Sequence, residues 1–478
     1  MSESLGRKVI NGTIWASIDR MGTMALQFIV NLILARLLMP EDFGYIGMLA
    51  IFISVSQTLV DGGFGSALIQ KKEPTQKDYS TIFYWNLIFS VFLYLVLFVS
   101  APYIAIYFKM PLLCKILRIL GLILIVNALV IVQNNRLRKQ LAFKTIALIN
   151  IGSLLGASMI AIGAAYKGCG VWSLVIMQLL NGTFQSCLLW GVVRWFPTWT
   201  FSLESLRKLF GFGGYLLAAN ILQVICQNLQ SILIGRRFSA AQMGYYSQAK
   251  KLDDVSSYAI PQVLVQVIFP VYSQFQNDKQ KLRGFLGRSV RIISFLVFPL
   301  ILLLILVAEP LIDFLYGERW LMCVPYFRIL CVGGIFVCLQ NINYYAVAAV
   351  GKSNALFGWS FYKWGVLLTF LLIGTRWGIH GILWGMVLSS INIFLVNAIL
   401  VDKYVGYTLL KQIKDVLPIL SIAVIIYAGM NLVLEYVTNL HFLLIITCYI
   451  VLYLFMTIIF CLPVIKDIKQ INPFILKK

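Results

Sequence analysis

Residues 36–45 read Arg36-Leu37-Leu38-Met39-Pro40-Glu41-Asp42-Phe43-Gly44-Tyr45, and a counterpart lies 200 positions on, Arg236-Arg237-Phe238-Ser239-Ala240-Ala241-Gln242-Met243-Gly244-Tyr245. The arginine, glycine and tyrosine keep one register, and each stretch sits between two long apolar runs. The correspondence reaches back into the preceding run, where Arg20, Thr23 and Gln27 align with Asn220, Gln223 and Gln227. It resumes later with small shifts: Arg118-Ile119-Leu120 matches Arg328-Ile329-Leu330, and Gly170 matches Gly378. A membrane chain built as two related halves is the sequence form of an alternating-access transporter, with its site on the seam between the halves.

Composition supports the membrane reading. The 478 residues are 60% hydrophobic and 12% charged, with a mean hydropathy of +0.88. Soluble domains are about half apolar and about a quarter charged. A span needs roughly 20 apolar residues, and about fourteen such runs can be counted, near 9–37, 42–69, 78–107, 112–135, 143–166, 170–193, 209–234, 241–272, 288–308, 321–350, 354–374, 378–401, 416–436 and 441–462. The expected fold is an all-α polytopic membrane protein. Residues 1–195 form a first six-helix bundle, 196–208 an interfacial linker with Trp195, Pro197 and Trp199 at the headgroups, and 209–402 a second six-helix bundle. Residues 403–478 add two helices and a cytoplasmic tail. With six spans each, the repeats run parallel about an axis along the membrane normal.

The net charge of +21 invites a nucleic-acid reading, but the charges follow topology. With both termini placed in the cytoplasm, about 25 of the 39 basic residues fall at cytoplasmic ends and about 10 at the opposite ends, as the positive-inside rule requires. The basic excess therefore reads as orientation and contact with anionic lipid, not nucleic-acid binding. No cleavable signal peptide is expected, since Met1 to Lys8 is polar and the first run is too long. The nine cysteines are scattered without a CxxC pair, so neither a metal site nor a disulfide framework is supported.

Three constellations carry the functional reading. The first is a polar stripe in the seventh run, Asn220, Gln223, Gln227 and Gln230, whose spacings put all four on one helix face. The first run repeats it with Arg20, Thr23, Gln27 and Asn31. Amides facing lipid would lack partners, so the stripe must face protein or water. Hydrogen bonding between helices explains any one glutamine. The matched stripe on the lead helix of both halves favours a hydrated cavity.

The second constellation is a set of buried cations. Arg20 lies about twelve residues into the first run, roughly 18 Å of helix, and Lys250, Lys251 and Lys363 are similarly deep. A charge at such depth costs about 2.5–3.5 kcal/mol on insertion scales. Internal neutralisation is one account: Lys250 reaches Asp253 or Asp254, Lys251 reaches Asp254, and Arg20 adjoins Asp19. It fails for Lys363, flanked by Tyr362 and Trp364. The other account is a cationic cavity for an anionic group such as a phosphate. The third constellation is the carboxylates Asp61, deep in the second run beside Gly62-Gly63, and Asp253 and Asp254; such groups can carry a coupling ion or serve as salt-bridge partners.

Helix starts are marked locally. Thr75 with Asp78, and Ser239 with Gln242, read as capping boxes. Pro40-Glu41-Asp42 opens the second run with proline early and carboxylates at the positive dipole end. Enzyme signatures are lacking: His380 and His441 stand singly, and there is no Walker loop, GxSxG or metal-ligand spacing. No catalytic residue, metal or cofactor is expected.

The segment Asn11 to Lys72 resembles the Wzx-type polysaccharide flippases of the multidrug/oligosaccharidyl-lipid/polysaccharide superfamily, and within them the WzxC-like branch. Gly12-Thr13-Ile14-Trp15-Ala16-Ser17, Leu34-Ala35-Arg36-Leu37-Leu38, Pro40-Glu41-Asp42-Phe43-Gly44, Asp61-Gly62-Gly63-Phe64 and Ala67-Leu68-Ile69-Gln70-Lys71-Lys72 carry the resemblance. Gly244-Tyr245-Tyr246-Ser247-Gln248-Ala249 and the twelve-plus-two layout extend it over the chain. It implies a V-shaped, MATE-like arrangement of two bundles in a bacterial inner membrane, moving undecaprenyl-pyrophosphate-linked oligosaccharide from the cytoplasmic to the periplasmic leaflet. Arg20, Lys250, Lys251 and Lys363 would then hold the pyrophosphate, and Gln27, Asn220, Gln223 and Gln227 would contact sugar. Arg36, Gly44, Arg236 and Gly244 would be structural. The implied partners are the lipid-linked oligosaccharide, membrane lipids and the polysaccharide polymerase machinery, and coupling to a proton, a sodium ion or the membrane potential stays open. Lipid II flippases are a more distant likeness, since the second run here holds no basic residue. The alternatives are a cation-coupled multidrug exporter using Asp61 and Asp253, and a cell-envelope membrane enzyme, which the short loops disfavour.

Overall fold

The computed structural model describes residues 2–71, 73–276, 278–436, 442–460 and 463–464. Lys72, His441, Cys461 and the tail lysines lie outside the described residues. Every regular element among the described residues is helical. The chain divides into two compact units, Met1–Gly244 and Tyr245–Lys478.

The first unit opens with α1 (Ser2–Leu37), α2 (Pro40–Asp61) and the short α3 (Phe64–Gln70). The expected run 42–69 is therefore two helices. Gly62 and Gly63 have φ of 57° and 70°, a left-handed pair that side chains disfavour, and the Gly62 N–H closes α2 on the Thr58 carbonyl. Asp61 is consequently the last residue of α2, not a group deep within a continuous span. Next come α4 (Gln76–Phe108), α5 (Leu112–Leu120), α6 (Ile123–Lys139), α7 (Phe143–Tyr166) and α8 (Val171–Val193). The Thr75–Asp78 capping box opens α4 in both directions.

The non-helical segment after α8 is pinned to the start of α4. Trp195 is buried and donates its Nε1–H to Gln76 at 2.6 Å, and Ser80 meets Thr198 at 3.0 Å, while Trp199 is 94% exposed. A buried and an exposed indole on one short strap suit a segment lying at a membrane surface. α9 (Leu203–Arg237) follows and packs on α2, α3 and α4. The sequence-based division sets the boundary at residues 196–208, whereas these contacts keep α9 in the first compact unit.

α10 (Ala240–Asp254) starts with the expected Ser239–Gln242 box. Its first turn crosses the first turn of α2 reciprocally. A Cβ on Gly44 would land on the Ala240 carbonyl, and one on Gly244 would land on the Pro40 carbonyl. The repeated glycines let two backbones touch where no side chain fits. Asp42 accepts the Met39 N–H at 3.0 Å and so caps α2.

In the second unit a π-helical turn (Val255–Ala259) joins α10 to α11 (Ile260–Gln274). Then come α12 (Lys279–Leu306), α13 (Ala308–Tyr316), α14 (Val324–Ala349), α15 (Ser353–Gly374), α16 (Gly378–Val405), α17 (Leu409–Tyr436) and α18 (Phe442–Ile459). Asp278 caps α12 by accepting the Lys281 N–H at 3.0 Å, a bond that holds its carboxyl below the usual range. Arg291 of α12 pairs with Asp415 of α17 at 2.9 Å, and Tyr407 donates to the other Asp415 oxygen at 2.6 Å.

Ten stretches among the described residues are helices long and apolar enough to cross a membrane. One of them, Gly358–Val405, holds two expected runs parted by the 3-10 turn Thr375–Trp377. The remaining expected runs are α9, the interrupted α10–α11 pair, and α18, whose apolar stretch is shorter. Matched residues do the same work in both units. The Arg118 Nε–H donates to the Phe98 carbonyl and the Arg328 Nε–H to the Ile305 carbonyl, at 3.4 and 3.3 Å. Gly170 and Gly378 both take positive φ at the start of their helices, 55° and 73°.

Candidate functional site

α2 and α9 pack together within the first unit, and between them lies a cavity of about 410 Å³ lined by Gln57, Thr58, Asp61, Asn220, Gln223, Val224 and Gln227. Helix periodicity sets the α9 wall, since residues three and four apart share a face. The expected stripe is thus present at Asn220, Gln223 and Gln227. Gln230 leaves it, turning its Nε2 onto the Gln227 carbonyl at 2.6 Å. Thr58 donates to the Ser54 carbonyl at 2.8 Å, which leaves its oxygen lone pairs for the cavity. Among the described residues, the side chains of Gln57, Asp61, Asn220, Gln223 and Gln227 make no hydrogen bond to protein.

The α2 wall comes from its last turn and a half. Asp61 stands at the helix end because the Gly62-Gly63 break follows it. Gly65 keeps the space behind it narrow: a Cβ there would meet the Asn135 amide at 2.9 Å and Asp61 Oδ1 at 3.2 Å. Arg138, on α6, acts on the Asp61 carboxylate electrostatically without a hydrogen bond. Sequence reasoning missed Gln57 and Thr58. Their signal was available, because Gln57 lies one turn before Asp61 on the same face.

The α1 residues are not in this lining. Arg20 and Gln27 are exposed. The expected Arg20–Asp19 neutralisation does not form. Asp19 instead accepts from the Asn150 amide at 3.0 and 3.2 Å, and Asn150 accepts from Gln185 at 2.7 Å, a chain that ties α1, α7 and α8. Adjacent helical residues point apart, so a partner on α7 is better placed than Arg20. Thr23 bonds back to the Asp19 carbonyl at 2.6 Å.

The second unit holds a different polar cluster. Lys250 pairs with Asp253 at 2.9 Å and with Asp254 at 2.6 Å, as the i+3 and i+4 spacings predict. Asp253 is 4% exposed and also accepts the Ser257 hydroxyl from the π-helical turn. That turn lies tight on α14, where a Cβ on Gly334 would strike Ser257. Lys251 is exposed. Lys363 is half-buried on α15 with its ammonium over the Trp364 ring, 4.9 Å from the centroid, so an aromatic face is one of its contacts. Next to it, Tyr362 donates to Asn392 at 3.1 Å in an open groove between α15 and α16. Among the described residues no group of three His, Cys, Asp or Glu side chains is placed to hold a metal ion.

Residues 33–325 match the family model described as polysaccharide biosynthesis protein. The teichuronic acid biosynthesis protein TuaB of Bacillus subtilis (strain 168) is 29% identical over 371 residues, 77% of this chain and 76% of that one. The lipopolysaccharide biosynthesis protein WzxC of Escherichia coli (strain K12) is 23% identical over 412 residues, 84% and 83% of the two chains. Among solved structures, the lipid II flippase MurJ in an inward closed conformation superposes with a TM-score of 0.74 over 94% of this chain and 98% of that one. At 15% identity that likeness speaks for the fold.

Proposed function

The chain belongs to the polysaccharide biosynthesis protein family, and from that premise we propose that it is an alternating-access flippase for a polyprenyl-pyrophosphate-linked oligosaccharide. It works by transport and not by catalysis. The observation that carries the reading is the α2–α9 cavity: in a chain of membrane-spanning helices, five side chains with amide or carboxylate groups are left without protein partners. In a bilayer such groups persist only where they meet water or a polar ligand. Amides in number offer both donors and acceptors, which suits sugar hydroxyls.

The chain sits in the bacterial inner membrane with both termini in the cytoplasm, an orientation supported by the distribution of its basic residues. Gln57, Thr58 and Asp61 then lie toward the cytoplasmic end of α2. Asn220, Gln223 and Gln227 contact sugar within the cavity, and Gln27 of α1, outside that lining, is a further candidate contact. Arg20 in the first unit is one candidate donor to a pyrophosphate, and Lys251 and Lys363 in the second unit are others, while Lys250 is held by its two aspartates. An inside-negative potential assists outward movement of an anion by ~2.3 kcal/mol per charge per 100 mV. Coupling to a proton or sodium ion remains an alternative drive. A multidrug exporter coupled through Asp253 is less supported, because Lys250 and Ser257 already occupy that carboxylate.

Deletion of the gene followed by lipid extraction tests the proposal. Sugar-loaded polyprenyl carrier is expected to accumulate on the cytoplasmic leaflet. An unchanged carrier pool together with new drug sensitivity would sink it.

A further inference from the structure

We propose that the α2–α9 cavity is a subsite for one uncharged, hydroxyl-rich sugar ring, and that Asp61 is its specificity-determining ligand and not the carrier of a coupling ion. The proposal rests on the flippase reading above.

Among the described residues, the lining contains one carboxylate, one hydroxyl, four amides and a single apolar side chain, Val224, and no lysine or arginine. A pyrophosphate has no cationic donor there. A sugar diol does have a match. The carboxylate accepts two adjacent O–H groups, Thr58 presents only lone pairs because its proton is committed to Ser54, and the amides of Gln57, Asn220, Gln223 and Gln227 both give and accept. Val224 offers an apolar surface for the C–H face of a ring. A volume of about 410 Å³ lies in the range of small-ligand sites.

The same features argue against an ion site. Among the described residues no second carboxylate lines the cavity, and Asp61 carries no protein hydrogen bond that would hold it in a coordinating pose. Arg138 of α6 makes no hydrogen bond to Asp61, so both carboxylate oxygens stay open to the cavity. A uronic acid placed in the subsite would set its own carboxylate against Asp61. The resulting like-charge penalty makes Asp61 a filter on the sugar, exerted through repulsion as well as attraction.

The test uses the full chain in proteoliposomes with two probes, polyprenyl-pyrophosphate-linked diglucose and its diglucuronate analogue. The wild-type protein is expected to move the neutral probe at least about tenfold faster, and Asp61→Asn to shrink that ratio to about twofold by speeding the acidic probe. Gln223→Ala is expected to raise KM for the neutral probe about fivefold with kcat little changed, which keeps the subsite testable if Asp61→Asn folds poorly. Failure of the wild type to move either probe overturns the flippase reading, and this proposal with it. Equal rates for both probes, or a ratio that Asp61→Asn leaves unchanged, overturns the sugar subsite and leaves the flippase reading standing. Equal loss of both rates in Asp61→Asn, together with loss of dependence on a sodium or proton gradient, assigns Asp61 to coupling and overturns the proposal.

Discussion

The α2–α9 cavity and the Lys250 cluster use the same chemistry in opposite ways. In the cavity, Asp61 and four amides face open space with no protein hydrogen bond. In the cluster, Lys250, Asp253, Asp254 and Ser257 satisfy one another within little more than two helical turns. Burial alone does not separate a binding group from a structural one. The separation comes from whether the protein has already supplied a partner. A buried ion pair whose lone pairs are filled is a finished structural unit, whereas polar groups left open on a membrane helix require water or a ligand.

The sharpest way to break that contrast is Asp253→Ala. It leaves the mostly buried Lys250 with one exposed partner, and a loss of about 3 kcal/mol or more in stability is expected, read as a lowered Tm in detergent. Retained stability would show that Lys250 does not depend on Asp253 for a partner. Ser257→Ala should cost about 1–2 kcal/mol by removing a hydrogen bond to a charged acceptor, read by the same thermal scan. Gln223→Ala should do the reverse of both: stability within about 0.5 kcal/mol of wild type, with transport impaired several-fold. A stability loss as large as that of Ser257→Ala would mean that the amide is structural glue. Arg20→Gln and Lys363→Gln test the anion assignment. Each is expected to slow export of a pyrophosphate-linked cargo by about tenfold or less, and full retained export in the double variant would remove both from the site.

Much of this was legible in the sequence where interactions are local. The caps at Thr75–Asp78 and Ser239–Gln242, the Lys250 pairing and the face shared by Asn220, Gln223 and Gln227 all follow from helical spacings of three and four. The recurrence of Arg36, Gly44 and Tyr45 indicated duplication, and the shared roles of Arg118 and Arg328 accord with it. What escaped was set by tertiary contact or by backbone geometry. Asp19 takes its partner from Asn150, 131 positions away, and no local pattern announces that. The Gly62-Gly63 pair was visible as residues, but its left-handed turn moved Asp61 from the interior of a span to the end of a helix. Gln57 and Thr58 become lining only through the packing of α2 on α9.

The crossing of the α2 and α10 first turns has a consequence for how this chain tolerates mutation. Gly44 abuts the Ala240 carbonyl and Gly244 abuts the Pro40 carbonyl, so both glycines guard a single point of main-chain contact. Side-chain volume added at either position is spent on the same separation. Two codons 200 apart therefore encode one shared steric allowance, and a substitution scan should find them behaving as a single non-additive locus: once one glycine is enlarged and the turns have moved apart, enlarging the other should cost less than it would alone.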